Sequence, residues 1–366
     1  MLRFRPLTAA ATAAALLVFS ACDRSPAQPP PAAQAPAPPA AASGLRVYVS
    51  DETGTEVVVV DPVAGRVLQK IAVGKRPRGI SLSPDASRLF VALSGSPIGG
   101  PGVDESKLPP ADRAADGIGV IDVASASVVK KYKSGQDPES FAVSKDGRLL
   151  FVSNEDEAGL SVLDLESGTV TEHIKVGEEP EGVTVRPDGK AVYVTSEGDG
   201  VVTAVDTTTH KVLAKVTTGP RPRSIAFTND GALGFVTNEN AGTLTVFDAA
   251  THKVKTTIPL PKIEGAPTAP RPMGQVVSPD GRRLYVSLGR AKAIAVVDTA
   301  SLAVVGTITD VGVRPWGIGI SPDGTKLYTA NGPSGDLSII DIATSKVDVR
   351  VAVGGSPWGI AVAAPR

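Results

Sequence analysis

A chain of 366 residues, 42% of them hydrophobic, is long enough to bury a substantial core, and its single cysteine rules out an intrachain disulfide. A formal net charge of −1 excludes general electrostatic binding of nucleic acid or anionic surfaces, which needs a strong basic excess. Thirty-eight glycines, 31 prolines, only 4% aromatics and no long amphipathic pattern point to an all-β chain of short strands and tight turns.

Residues 1–21 carry two arginines in MLRFRP and then an uncharged apolar run, the pattern of an export signal too short to span a bilayer. The junction LVFSAC resembles a bacterial lipobox, with Phe19 departing from the usual leucine. That resemblance implies acylation of Cys22 and anchoring to a membrane facing the periplasm. Asp23, next in the chain, implies retention at the inner membrane on the same analogy. Residues 22–43 are Pro/Ala-rich and read as an extended tether. With the signal's two arginines gone from 37 basic and 38 acidic residues, the remainder carries −3.

From residue 44 to 366 the chain repeats. An aspartate closes a β-rich run at Asp61, Asp122, Asp164, Asp206, Asp248, Asp298 and Asp341, with gaps of 61, 42, 42, 42, 50 and 43. A period near 42 with about four strands per unit is the size of a propeller blade. The first unit opens with its second strand, LRVYVS at 45–50, and the isolated WGIAV at 358–362 supplies the missing inner strand. The prediction is a seven-bladed β-propeller of four antiparallel strands per blade, closed by pairing of N- and C-terminal strands; an open solenoid would leave both edges bare.

Inner strands begin after a G-x-x-P element whose charges alternate. The residues following the prolines are Arg78, Glu139, Glu181, Arg223, Met273, Trp316 and Trp358, and those preceding them are Arg76, Asp137, Glu179, Arg221, Arg271, Arg314 and Ser356. All are expected at one mouth of the central channel. In one half, Arg76, Arg78, Asp137, Glu139, Glu179, Glu181, Arg221 and Arg223 form a charged ring, either neutralising itself or serving a guest. In the other half, Arg271, Met273, Arg314, Trp316 and Trp358 suit a flat anionic ligand or an aromatic anchor of a partner, or simply plug the channel. No acid in the matching slots balances Arg271 and Arg314.

Two insertions, 94–117 and 259–272, are expected over this same face and mark it as the working face. Acids between second and third strands (Asp51, Glu52, Glu155, Asp156, Glu157, Glu197, Asp199, Glu239) read as a solvated rim, since no D-x-D-x-D-G spacing supports calcium. No catalytic constellation emerges. The histidines His173, His210 and His252 do not converge on the mouth, and there is no C-x-x-C-H or G-x-S-x-G.

The fragments VYVT (192–195), FVTNEN (235–240), LYVS (284–287) and LYTANG (327–332), each after a PDG-like turn, resemble the YVTN family of secreted propellers over 45–362. More narrowly, DPESFAVS, EPEGV, RPRSIAFT and RPWGIGISPD in this order resemble periplasmic propellers associated with pyrroloquinoline-quinone-dependent alcohol catabolism. The resemblance implies a non-catalytic accessory module, a quinoprotein dehydrogenase or its cytochrome as partner, and pyrroloquinoline quinone as the one cofactor to consider. Two alternatives stay open: a lactonase-like hydrolase using Glu139, Glu181, Arg78 and Arg223, and binding of single-stranded nucleic acid or a cell-surface polymer, which the charge of −3 disfavours.

Overall fold

A computed structural model describes residues 44–99 and 104–364. The signal, Cys22 and the tether lie outside the described residues. The rest forms seven four-stranded antiparallel sheets, each a blade with strands A to D running from inside to outside. Blade 1 takes its A strand from the C-terminal end: Pro357–Ala363 pairs with Arg46–Asp51, Val49 facing Ile360. The A strands of blades 2 to 7 are Pro77–Leu82, Pro138–Val143, Pro180–Val185, Pro222–Phe227, Gln275–Val277 and Pro315–Ile320. Each touches the next, and Pro315–Ile320 touches Pro357–Ala363, so the ring is closed as the strand count predicts.

The landmark aspartates have a local cause. Asp61, Asp206 and Asp248 each accept backbone N–H groups two and three residues on, which fixes the turn from strand C to strand D. In the turn from A to B, Ser144, Ser278 and Ser321 donate to the aspartate two residues later, the D of each PDG-like element. Strands B and C carry the buried valines, whereas D strands such as Ser127–Tyr132 are largely exposed and carry lysines, which discourages pairing with another edge. The core is not one mass. It is seven apolar clusters, one at each blade-to-blade interface, including one across the closing seam built from Val47, Val49, Tyr328 and Leu337.

The third letter of the YVTN-like segment also has a job. Ser50, Ser153, Thr195, Thr237 and Ser287, all on B strands, donate to the carbonyls of Arg78, Glu181, Arg223, Met273 and Trp316, on or just before the A strand of the following blade, at 2.6, 2.7, 3.2, 2.8 and 3.5 Å. Each hydroxyl latches two blades at the residue that lines the channel mouth.

Candidate functional site

Six A strands open with a break in register against strand B, between Pro77 and Ile80, Pro138 and Phe141, Pro180 and Val183, Pro222 and Ile225, Pro315 and Ile318, and Pro357 and Ile360. The residue after the proline sits inside that break, where a bulge frees its side chain from the sheet's alternation and re-aims it. The residue before it holds a left-handed backbone at Arg76, Asp137, Glu179, Arg221 and Arg314, with φ between 43° and 57°. Beneath the mouth, Gly79, Gly182, Gly274, Gly317 and Gly359 let neighbouring blades close together. A Cβ on Gly182 would lie 2.2 Å from the Arg223 carbonyl oxygen, and one on Gly317 2.5 Å from that of Trp358.

Blades 2 to 5 hold an ionic network. Arg78, 1% exposed, donates to Asp137 at 2.5 Å and to Glu139, and its guanidinium lies 3.8 Å from Glu155. Burial pulls the Arg78 guanidinium down, but Glu139 and Asp137 outweigh it and hold its pKa above the ordinary value. Arg76 pairs with Glu52 at 3.2 Å. On the far side Arg223 pairs with Glu181 and Glu197, while Arg221 reaches Glu197 at 2.8 Å and Glu239 at 3.1 Å.

Three expectations need correction. The loop acids are a solvated rim only in part: Asp156 and Asp199 are exposed, but Glu197 and Glu239 are buried against the arginines, and Asp51 turns inward to accept the Ser356 N–H. Arg271 is balanced after all, by Glu239 of the preceding blade at 3.1 Å. Glu179 stays exposed and joins no ion pair among the described residues. The missed residues left one signal. Glu155, Glu197 and Glu239 follow strand B at one repeat position in three consecutive blades, the two with acidic prolines and the basic one after them.

Burial, reinforced by repulsion from Glu139, pushes the Glu155 carboxyl from an ordinary 4.5 to about 8. An acid with a raised folded pKa takes up a proton on folding. Its neutral form contributes stability that is fully present below the ordinary glutamate range and lost as pH rises through about 8. Melting temperature should therefore fall across that window, and Glu155→Gln should flatten the fall and be the more stable form at pH 8. An unchanged slope in the variant would remove Glu155 as its source.

The other half of the mouth is aromatic. Trp316 and Trp358 stack with centroids 6.1 Å apart and planes at 22°. The guanidinium carbon of Arg314 lies 4.2 Å from the Trp316 ring centre, and that of Arg223 lies 5.0 Å from it. Met273 is buried beside them, and all three border a cavity of about 190 Å³ with Arg223, Ser224 and Gln275. Among the described residues no carboxylate lies within ion-pair distance of Arg314. The insertions do flank this face: Arg76 donates to Ser96, Arg113 pairs with Asp156, and Arg271 donates to Asn240.

Comparison with known proteins fits this geometry. The profile of the cytochrome D1 heme domain matches residues 176–364. The chain belongs to that family. A second profile, the YNCE-like β-propeller, matches residues 103–187, and the D1-family chain is a YncE-like propeller there. The uncharacterized protein YncE of Salmonella typhimurium is 30% identical over 111 residues, 30% of this chain and 26% of that protein. Antigen Lp49 of Leptospira interrogans is 29% identical over 109 residues, 30% of this chain and 23% of that protein. The chain thus aligns with about a quarter of the length of these relatives. Among solved structures, the periplasmic gluconolactonase PpgL of Pseudomonas aeruginosa superposes with a TM-score of 0.68 at 22% identity over 88% of this chain and 99% of that one. Hydrazine synthase of Kuenenia stuttgartiensis gives 0.68 at 20% over 81% and 92%. Both likenesses concern the fold.

The family name raises a heme, and the residues do not fit one in the channel. A heme needs an axial donor. Among the described residues no histidine borders the cavity: His173 is exposed on an outer strand, His210 lies in a turn from C to D, and His252 contacts the Tyr193 hydroxyl at 3.1 Å. Met273 is the one thioether there, and the close-set inner strands leave about 190 Å³, below the ~300–1,000 Å³ of ordinary ligand pockets.

Proposed function

We propose that this D1-family propeller is a non-catalytic binding module whose ligand or partner docks on the aromatic sector of the channel mouth. One observation carries the reading: Arg314 is stacked on Trp316 at 4.2 Å, and among the described residues no carboxylate lies within ion-pair distance of it. The rest of the ring argues by contrast. Every other arginine that flanks a proline of the ring, from Arg76 round to Arg271, is paired with an acid, so the charged half neutralises itself and Arg314 does not. A hydrolytic reading finds less support, because Glu139 and Glu181 are both engaged by arginines and no histidine stands beside them among the described residues.

A quinoprotein dehydrogenase or its cytochrome as the partner, lipid anchoring through Cys22 and a periplasmic location rest on sequence resemblance. They are tested by gentle co-purification of the full chain from its host's membranes. Trp316→Ala and Arg314→Ala should each release whatever co-purifies while changing the melting temperature by no more than a few degrees. Loss of stability in both variants comparable to that of a core substitution would make the sector a plug.

A further inference from the structure

Beneath the tryptophan pair, Gln275 presents an unused acceptor. Its amide nitrogen donates to two backbone carbonyls, Ser224 at 2.9 Å and Phe235 at 2.8 Å, which fixes the orientation of the amide. Its Oε1 is buried and has no hydrogen-bond partner, and the Gln275 residue lines the same cavity together with Glu181 and Arg223. A buried acceptor left unpaired is costly and asks for a donor. Above it, Arg314 has its orientation set by the indole, and no hydrogen bond from its guanidinium is made among the described residues. Arg290, half-buried on the turn Gly289–Ala291, is close enough for its charge to act against Arg314, and no acid lies within ion-pair distance of it among the described residues. Two like charges on a half-buried surface with free donors describe a receptor for an anion.

We propose that the mouth binds a single-ring planar carboxylate that also carries a hydrogen-bond donor. The carboxylate would meet the Arg314 guanidinium within the field of Arg290, the ring would pack on the Trp316 and Trp358 pair, and the donor would satisfy Gln275 Oε1. This deepens the binding-module reading and rests on it. The cavity of about 190 Å³ suits one ring rather than several.

The chain's only two tryptophans are both at the site, so intrinsic fluorescence reports on it directly. The full chain is titrated with 4-hydroxybenzoate, benzoate and 4-hydroxybenzamide, with calorimetry alongside. The expected order is 4-hydroxybenzoate tightest, and the neutral amide weaker by at least about 10-fold. Arg314→Gln should weaken 4-hydroxybenzoate by a similar factor and Arg290→Gln by a few-fold, both reducing its salt dependence. Gln275→Leu should erase the preference for 4-hydroxybenzoate over benzoate while leaving benzoate itself bound. Equal binding of the amide and the acid would overturn the inference and leave the binding-module reading standing. So would a silent titration if a co-purifying protein still depends on Trp316. Silence in both experiments would overturn both.

Discussion

Ending the chain at Ser356 is expected to abolish the folded monomer. The cut removes Pro357–Ala363, the inner strand of the first blade, and leaves the fully buried Val47 and Val49 on an open edge. Ile360 and Val362 are partly buried and each contributes less than the about 1.5–3 kcal/mol of a fully buried side chain, but the buried Ala361 and Ala363, the strand's ladder and the contacts on both its flanks go with them. Against a total stability of about 5–15 kcal/mol, that loss is most of the margin. Size-exclusion chromatography and circular dichroism should show an aggregating or unfolded chain, and a synthetic Pro357–Ala363 peptide supplied in trans should restore part of the native signal by adding the missing strand. A truncated chain that stays monomeric and melts within a few degrees of the intact one would mean that closure contributes little.

Replacing Arg78 with Ala should destabilise the protein by about 3–5 kcal/mol, because two buried carboxylates, Asp137 and Glu139, lose the counter-charge they are paired with. Urea denaturation at neutral pH reads the effect directly. The cause can be separated from lost packing. The triple variant Arg78→Met, Asp137→Asn and Glu139→Gln removes the charges together and should regain most of the stability, whereas a pure packing loss would persist in it. The outcome also decides why the charges around the prolines alternate: a large loss in the single variant, with recovery in the triple, makes the alternation a requirement of the fold.

The architecture was legible because its markers are local. An aspartate that caps a turn must sit at a fixed place in each repeat, so Asp61 to Asp341 count the blades before any contact is known. The isolated terminal strand then closes the count. The site was legible only in part. The prolines locate residues such as Arg78 and Trp316, because the register break re-aims whatever follows them. The direction taken by loop side chains has no period. Glu197 and Glu239 lie just past strand B, and only the folded chain shows them turned over the ring to meet Arg221, Arg223 and Arg271. Arg271 was misread for a related reason. It lies at the end of the 259–272 insertion and lacks the left-handed backbone of Arg221 and Arg314, so repeat alignment could not say where it points.

The hydroxyl latches are not uniform around the ring. Where five blades offer serine or threonine to the next, blades 2 and 7 offer Ala92 and Ala330, so the seams in front of Glu139 and Trp358 lack that tie. Those two seams bracket blades 1 and 2, the sector that contains the non-covalent closure. Opening fluctuations should concentrate there, with amides along both seams exchanging ahead of those in blades 4 and 5. The seam beside Trp358 is also one wall of the aromatic sector. The propeller would then behave less as a rigid wheel than as a clasped bracelet, its clasp set next to the place where a guest would enter.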